Sequence, residues 1–316
     1  MLRKFVYNKI FRTTGMLLLL LLLLLFPTSK EYNLTDDYSV KTSSNIKKRE
    51  VYLIDKDGYV ARCKININGT SKIDYAKKLL ELLIIDGKYE EKIPNGFKPI
   101  LPSDIKINNI TIKDNNINVD LSKEFYDLTK ENFIKAKEAI TYNLTSIDGI
   151  CNVYLSIDGK LLDNFDNKTV LQPFKRSDGI NKSYEQTNYK NTNSVTVYFL
   201  NKGNNNYYFV PVTKITNDNR EKIRIIIDEL TSSNIYETNL MSFLNYNTKL
   251  LDYELKDDIL TLNFNEFLFD DSANKNILEE VIYSICLSVR DNYTVKEVIF
   301  TVDGKEITKS VIKNIE

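Results

Sequence analysis

The stretch VYLSIDGK at Val153–Lys160 occurs again as VIFTVDGK at Val298–Lys305. Both copies alternate β-branched and aromatic residues and end in Asp-Gly-Lys, the pattern of a half-buried strand entering a tight turn. The offset of 145 positions brings other segments into register. Ile117–Leu121 (INVDL) falls near Leu260–Phe264 (LTLNF) at 143, and Ser-Lys-Glu-Phe at 122–125 is set against Asn-Glu-Phe at 265–267, where the offset drops to 142. Ala76, Leu79, Leu80 and Leu83 answer Ile223, Ile226, Ile227 and Leu230 at 147, and Val51–Ile54 (VYLI) answers Val197–Leu200 (VYFL). Drifts of this size place insertions in loops. A repeat of roughly 110–115 residues has the size of a domain, not of a solenoid unit, so one domain has been used twice.

At 316 residues and 42% apolar content the chain has material for two cores. Its 43 basic and 43 acidic residues cancel, but Arg3, Lys4, Lys9 and Arg12 precede residue 26 without an acid, which leaves 39 basic against 43 acidic beyond it. Such a body has no electrostatic reason to bind nucleic acid. Histidine is absent. That removes the commonest general acid–base, the Ser-His and Cys-His nucleophile pairs and the imidazole ligands of catalytic zinc. Cys63, Cys151 and Cys286 are too widely spaced for a metal motif or a disulfide framework. Cys63 aligns with the apolar Val210 and Cys286 adjoins Ile285, so these two read as core thiols. No metal or cofactor is expected.

Residues 16–26, MLLLLLLLLLF, follow the basic residues and precede Pro27, the layout of a signal peptide or membrane anchor over residues 1–30 with the charges left in the cytoplasm. Leu17, Leu20 and Leu24 are the expected membrane-embedded residues. No small-x-small cleavage site follows, which favours an uncleaved anchor in the cell membrane over a secreted form; either exports the rest. Residues 31–49 are rich in Ser, Thr, Asn, Asp and Lys and read as a tether.

The first repeat, 50–163, opens with strands Val51–Ile54 and Tyr59–Ile67 around Asp57-Gly58. A helix follows, with Ser71 and Asp74 spaced as a capping box and Ile73, Ala76, Leu80 and Leu83 on one face. Alternating strands from Ile105 to Ile112 and Ile117 to Leu121 come next. A helix carrying Phe133, Ala136, Ile140 and Leu144 and the strand Ile150–Ile157 close the unit. After a linker at 164–193, loosest from Ser177, the second repeat at 194–310 runs through the same order. Its helices are placed at about Asp218–Leu230, with Asp218 and Glu221 as the capping pair, and near Ser272–Arg290. The fold class is therefore α+β: two tandem β-β-α-β-β-α-β domains, each a mostly antiparallel sheet with two helices on one face.

Acids recur near strand ends: Asp120, Glu124 and Asp127, then Glu266, Asp270 and Asp271. Paired carboxylates cleave glycosidic bonds, but a catalytic acid needs an apolar pocket that the pattern does not supply. Turn formation, and a helix N-terminus after Asp270 and Asp271, account for them. Asp55-Lys56-Asp57-Gly58 begins like a calcium loop yet lacks its later ligands. Among 20 tyrosines, Tyr184, Tyr189, Tyr207 and Tyr208 gather at the entry to the second repeat, where an interface would use them.

The tandem order, FVPVT at 209–213, VDLSKEF at 119–125 and the two DGK endings resemble the GerM family over about 50–163 and 195–307. That resemblance implies an extracytoplasmic sporulation or germination protein whose domains are ring-building-motif-like. It further implies a non-catalytic scaffold between mother cell and forespore, with envelope proteins and self-association as partners. Peptidoglycan binding or glycan cleavage during germination is the alternative. Two features depart from the family: no cysteine follows the leucine block to accept a lipid, and YVARCKI at 59–65 stands where the second repeat has YFVPVT.

Overall fold

The computed structural model describes residues 30–33, 48–188, 190–203, 206–232, 239–271 and 275–311. A short strand, β1 (Lys30–Asn33), precedes the first repeat. That repeat comprises β2 (Arg49–Asp55), β3 (Val60–Ile65), α1 (Lys72–Glu81), β4 (Phe97–Lys98), β5 (Ile107–Lys113), β6 (Asn116–Leu121), α2 (Lys130–Leu144), β7 (Asn152–Ile157) and β8 (Lys160–Leu161). Three two-residue strands follow: β9 (Asn164–Phe165), β10 (Lys168–Thr169) and β11 (Ser183–Tyr184). The second repeat holds β12 (Asn193–Lys202), β13 (Tyr207–Thr216), α3 (Lys222–Thr231), β14 (Leu250–Lys256), β15 (Ile259–Phe264), α4 (Glu279–Asn292), β16 (Glu297–Val302) and β17 (Lys305–Val311). No helix among the described residues is long and apolar enough to cross a membrane; Leu17, Leu20 and Leu24 lie outside the described residues.

The mostly antiparallel sheet expected in each repeat is divided between a front hairpin and a separate mixed sheet. Strands β5, β6, β7 and β8 form a mixed sheet in which β6 and β7 run parallel, Ile117 opposite Val153 and Leu121 opposite Ile157. The matching pair β15 and β16 is parallel with Leu260 opposite Val298, the same register at the repeat offsets. The reason is connectivity. A two-residue turn returns a strand antiparallel, but β6 reaches β7 through α2, and a strand–helix–strand crossover returns it parallel. Both closing turns place Asp and Gly at positive φ, Asp158 at 48° and Gly159 at 79°, Asp303 at 49° and Gly304 at 76°, the two-residue hairpin geometry that matches strand twist.

The front hairpins leave their own repeats and join each other. β12 and β13 pair along their length, and β13 then meets β3 antiparallel with Phe209 opposite Arg62, so that one sheet runs β12–β13–β3–β2–β4 through both repeats. Arg62 and Phe209 are equivalent positions at offset 147, so the junction lies on a quasi-two-fold axis like that of an isologous dimer. Pro211 is tolerated inside β13 because its carbonyl faces Asn181, on the side away from β12; its missing N–H costs the β12 ladder nothing.

Helices cover the outer edges of this sheet. Asn143 on α2 accepts from the Tyr52 N–H at 2.9 Å and donates to the Tyr52 carbonyl at 2.8 Å, standing in for a neighbouring strand. At the equivalent place Ser288 on α4 accepts from the Tyr198 N–H at 2.9 Å, and Asn292 holds both backbone groups of Thr196. With the hairpin on one side and the mixed sheet on the other, α4 is buried throughout Val281–Val289 and α2 throughout Glu138–Leu144. The single apolar stripe expected for each is a stripe only near its N-terminus.

Two helix starts also differ from expectation. Ser71 accepts from the Asp74 N–H, but the return bond from Asp74 goes to the Thr70 N–H. In the second repeat Asp218 accepts from the Arg220 N–H and pairs with its guanidinium, which fixes a turn, and α3 begins at Lys222 without a side-chain cap.

Residues 164–193 join the repeats as a packed strap. Gln172 clamps the backbone of Leu155 and Leu162, Phe174 bridges to Val153, and Ser183–Tyr184 lies parallel to β13. Asn181 accepts from the Val60 N–H and donates to the carbonyls of Val60 and Pro211, closing the gap between β3 and β11. Each repeat keeps its own apolar core, although Ala61 of the first packs into the second. Shared backbone pairing and this strap predict one cooperative thermal transition for the chain. Calorimetry that resolves two independent transitions would refute the coupling.

Candidate functional site

The acids singled out from the sequence do not converge. Asp120 accepts from the Gly159 N–H at 2.8 Å, and in the second repeat Asn263 accepts from the Gly304 N–H at 2.9 Å. A neutral amide does the same work, so the position holds the turn and needs no charge. Ser122 takes the N–H and carbonyl of Lys106, and Asn265 takes those of Lys249. The offset is 143 at both, and it stays 143 through the 3₁₀ turns Lys123–Asp127 and Glu266–Leu268. Leu268, not Phe267, therefore matches the buried Phe125, and the exposed Phe267 takes the place of Glu124. The Ser122 hydroxyl and backbone hydrogen bonding hold the half-buried Glu124 carboxyl below its usual range, the reverse of what a general acid requires. Asp270 and Asp271 do not lead into a helix: α4 starts at Glu279, and the Asp270 N–H is bonded to the Asn276 carbonyl.

The calcium-loop fragment is consumed internally. Asp55 is fully buried; one carboxylate oxygen accepts from the N–H groups of Asp57 and Tyr59, the other from Asn201 and the Tyr208 hydroxyl. No group of three or more His, Cys, Asp or Glu among the described residues is placed to hold a metal. Burial pushes the Cys63 and Cys286 thiols up to about 12, which makes them inert.

The tyrosines do not form one patch. Tyr207 packs edge-on against Phe243, Tyr208 against Phe97 beside Asp55, and the exposed Tyr184 pairs beside Ile215 at the far end of β13; Tyr189 lies outside the described residues.

What the structure does assemble is a polar junction on the quasi-two-fold axis, built from residues that the sequence pattern left unmarked. Tyr52 and Tyr198, equivalent at offset 146, meet hydroxyl to hydroxyl at 3.1 Å. Tyr198 donates to Asp291 at 2.7 Å. A hydroxyl has one proton, so Tyr52 must donate to Tyr198. The Tyr52 oxygen in turn accepts from Arg290 at 3.3 Å and Arg176 at 3.5 Å. Arg176, delivered by the strap, also bonds Asp291 at 3.1 Å, the Tyr142 carbonyl and the Thr145 hydroxyl, and lies 4.4 Å over the Tyr142 ring. Arg290 bonds both oxygens of Glu50, and Arg62 bonds Glu50 as well.

Three guanidiniums thus face two carboxylates away from bulk water. Burial alone would raise the Glu50 carboxyl, but Arg290, Arg62 and Arg176 outweigh it and hold the group far below the carboxylate range. Burial and the Asp291 charge keep Tyr198 protonated well past its ordinary range. This chemistry is that of a lock: the tyrosine hydroxyls and both carboxylates are engaged with one another and with the guanidiniums, although the buried Arg290 Nε–H only approaches Asp291, at 3.5 Å, without a hydrogen bond.

Concavities also occur in both repeats. One of about 840 Å³ in the second repeat is lined by Leu240, Met241, Phe243, Tyr246, Phe267 and Leu278 among others, with Asp270 its single carboxylate among the described residues. Its size suits a ligand, but glycan cleavage needs a second acid about 5–9.5 Å from the first. A shallower one of about 300 Å³ in the first repeat lies between Tyr126 and Phe165.

Two outcomes test these assignments. Asp120→Asn is expected to leave both stability and spore formation unchanged, whereas Asp120→Ala loses about 1 kcal/mol with the turn bond; loss of function with Asp120→Asn would mark a catalytic acid. Glu50→Gln is expected to cost about 3 kcal/mol at neutral pH by leaving guanidiniums uncompensated. Because the folded Glu50 carboxyl is depressed, its contribution is complete above its ordinary value of 4.5 and declines as pH falls toward the folded value. Denaturant titrations from pH 7 to 3 should therefore show an acid loss in the natural chain that Glu50→Gln largely lacks.

Sequence and structure comparisons relate the chain to known proteins. The family described as Germane, sporulation and spore germination, matches residues 50–163 and 196–308. The chain is 33% identical over 282 residues to spore germination protein GerM of Bacillus subtilis (strain 168), covering 87% of this chain and 76% of that protein. It is similar to the solved tandem GerMN domains of the sporulation protein GerM from Bacillus subtilis, with a TM-score of 0.75, 34% identity, and coverage of 83% of this chain and 92% of that one. The chain therefore belongs to the GerM family of sporulation and spore germination proteins, as a member with tandem domains.

Proposed function

We propose that this chain is a non-catalytic, membrane-anchored scaffold on the extracytoplasmic side, assembling with envelope proteins of the sporulating or germinating cell. The observation that carries this reading is the polar junction: the charged and hydroxyl groups that an enzyme would present in a cleft are spent on holding two domains in one orientation. A rigid pair of domains presents a fixed, extended surface, and a fixed surface suits assembly. The leucine block with Leu17, Leu20 and Leu24, preceded by four basic residues and no acid, supports a single anchor with the domains outside.

A panel of charge substitutions on exposed positions of both repeats, scored for spore formation and co-purification with envelope proteins, tests the reading. Contiguous sensitive patches are expected. Retention of the full chain on insoluble peptidoglycan, with release of sugar ends abolished by Glu124→Gln, would replace the scaffold with a glycan-cleaving factor.

A further inference from the structure

The closing edge of each mixed sheet needs a cover, and the two repeats find it differently. In the first, the chain that follows β7 turns back as β8 and the strap then covers β7 through Gln172 and Phe174. In the second, β17 covers β16, but β17 is seven residues long and its outer edge would stand open. A row of unpaired backbone groups of that length is an acceptor for another strand. The chain supplies one from its other end. Lys30–Asn33 pairs parallel with β17, Lys30 opposite Thr308, Glu31 opposite Lys309, Tyr32 opposite Ser310 and Asn33 opposite Val311.

We propose that Lys30–Asn33 is a clasp in cis that fastens the second repeat beside the membrane and leaves the first repeat farther out, the reverse of their order in the sequence. This rests on the anchor reading above. Only Pro27, Thr28 and Ser29 separate the leucine block from β1, a span of about 10 Å at full extension. The 14 residues from 34 to 47 then lead from β1 to the start of the first repeat and reach at most about 46–50 Å. The occupant of the β17 edge is thus a fixed part of the same chain, and a partner that adds a strand there must displace it.

The test uses the full chain in membranes, with Cys151→Ala removing the half-exposed thiol. Glu31→Cys with Lys309→Cys is compared with Glu31→Cys and Lys160→Cys, the corresponding turn of the first repeat. Oxidation is expected to link the first pair within one chain at least ten-fold more than the second. Equal yields, or a disulfide-linked dimer in place of the intramolecular link, would overturn the clasp. An alkaline wash of the same membranes separates the two readings. Retention of the linked protein supports the membrane-proximal placement, whereas release with the link intact overturns that placement and the anchor together but leaves the strand pairing standing. A dye on Lys305→Cys should be quenched by lipid-borne quencher at least three-fold more than one on Lys160→Cys; the opposite order would refute the inverted arrangement.

Discussion

The pairing of β3 with β13 is the contact on which the rest depends, because it places two equivalent surfaces against each other and buries whatever they carry. At a two-fold axis each equivalent position meets itself. Tyr52 against Tyr198 and Asp55 against Asn201 satisfy that condition with polar groups able to bond each other. Arg62 against Phe209 satisfies it by asymmetry, since two arginines there would repel and two phenylalanines would leave Glu50 with one partner fewer. YVARCKI departs from YFVPVT for this reason: duplication allows the two halves of a self-complementary interface to specialise.

Buried ion pairs are poor sources of net stability, because desolvation consumes most of the Coulombic gain. Their value here is orientation. A slip of β13 along β3 by two residues would keep the ladder and much of the apolar contact, but it would separate Tyr52 from Tyr198 and part Arg290 from Glu50. With side-chain exposures of 6% for Arg62, 9% for Arg290 and 1% for Asp291, any such register leaves charges enclosed and unpaired. Arg176 extends the same logic to the strap, which is held by its guanidinium between Asp291 and the Tyr142 ring. Domain orientation, strap position and helix placement are therefore coupled through one set of hydrogen bonds.

The edges of the assembly tell against indiscriminate association. β5 and β14 end their sheets, and each carries a register shift at the equivalent place, between Ile107 and Asn109 and between Leu250 and Asp252. Bulges of this kind spoil an edge as a template. Association through these two strands is disfavoured.

The sequence by itself determined the duplication, the order of strands and helices, the Asp-Gly turns and the absence of histidine chemistry, because each is local or is repeated in two diverged copies. Period-two alternation marks β6 and β7 whatever their neighbours are. The tertiary structure alone decided which strands pair, since one alternating pattern fits parallel and antiparallel ladders equally. It also decided that α2 over Glu138–Leu144 and α4 over Val281–Val289 are enclosed on all sides. Glu50, Arg62, Arg176, Arg290 and Asp291 carried no signal, for they lie far apart in sequence and a charged residue at a strand or helix end ordinarily faces water. Only the joining of two hairpins across the axis removes that water, and with it turns five scattered charges into the junction that fixes the molecule.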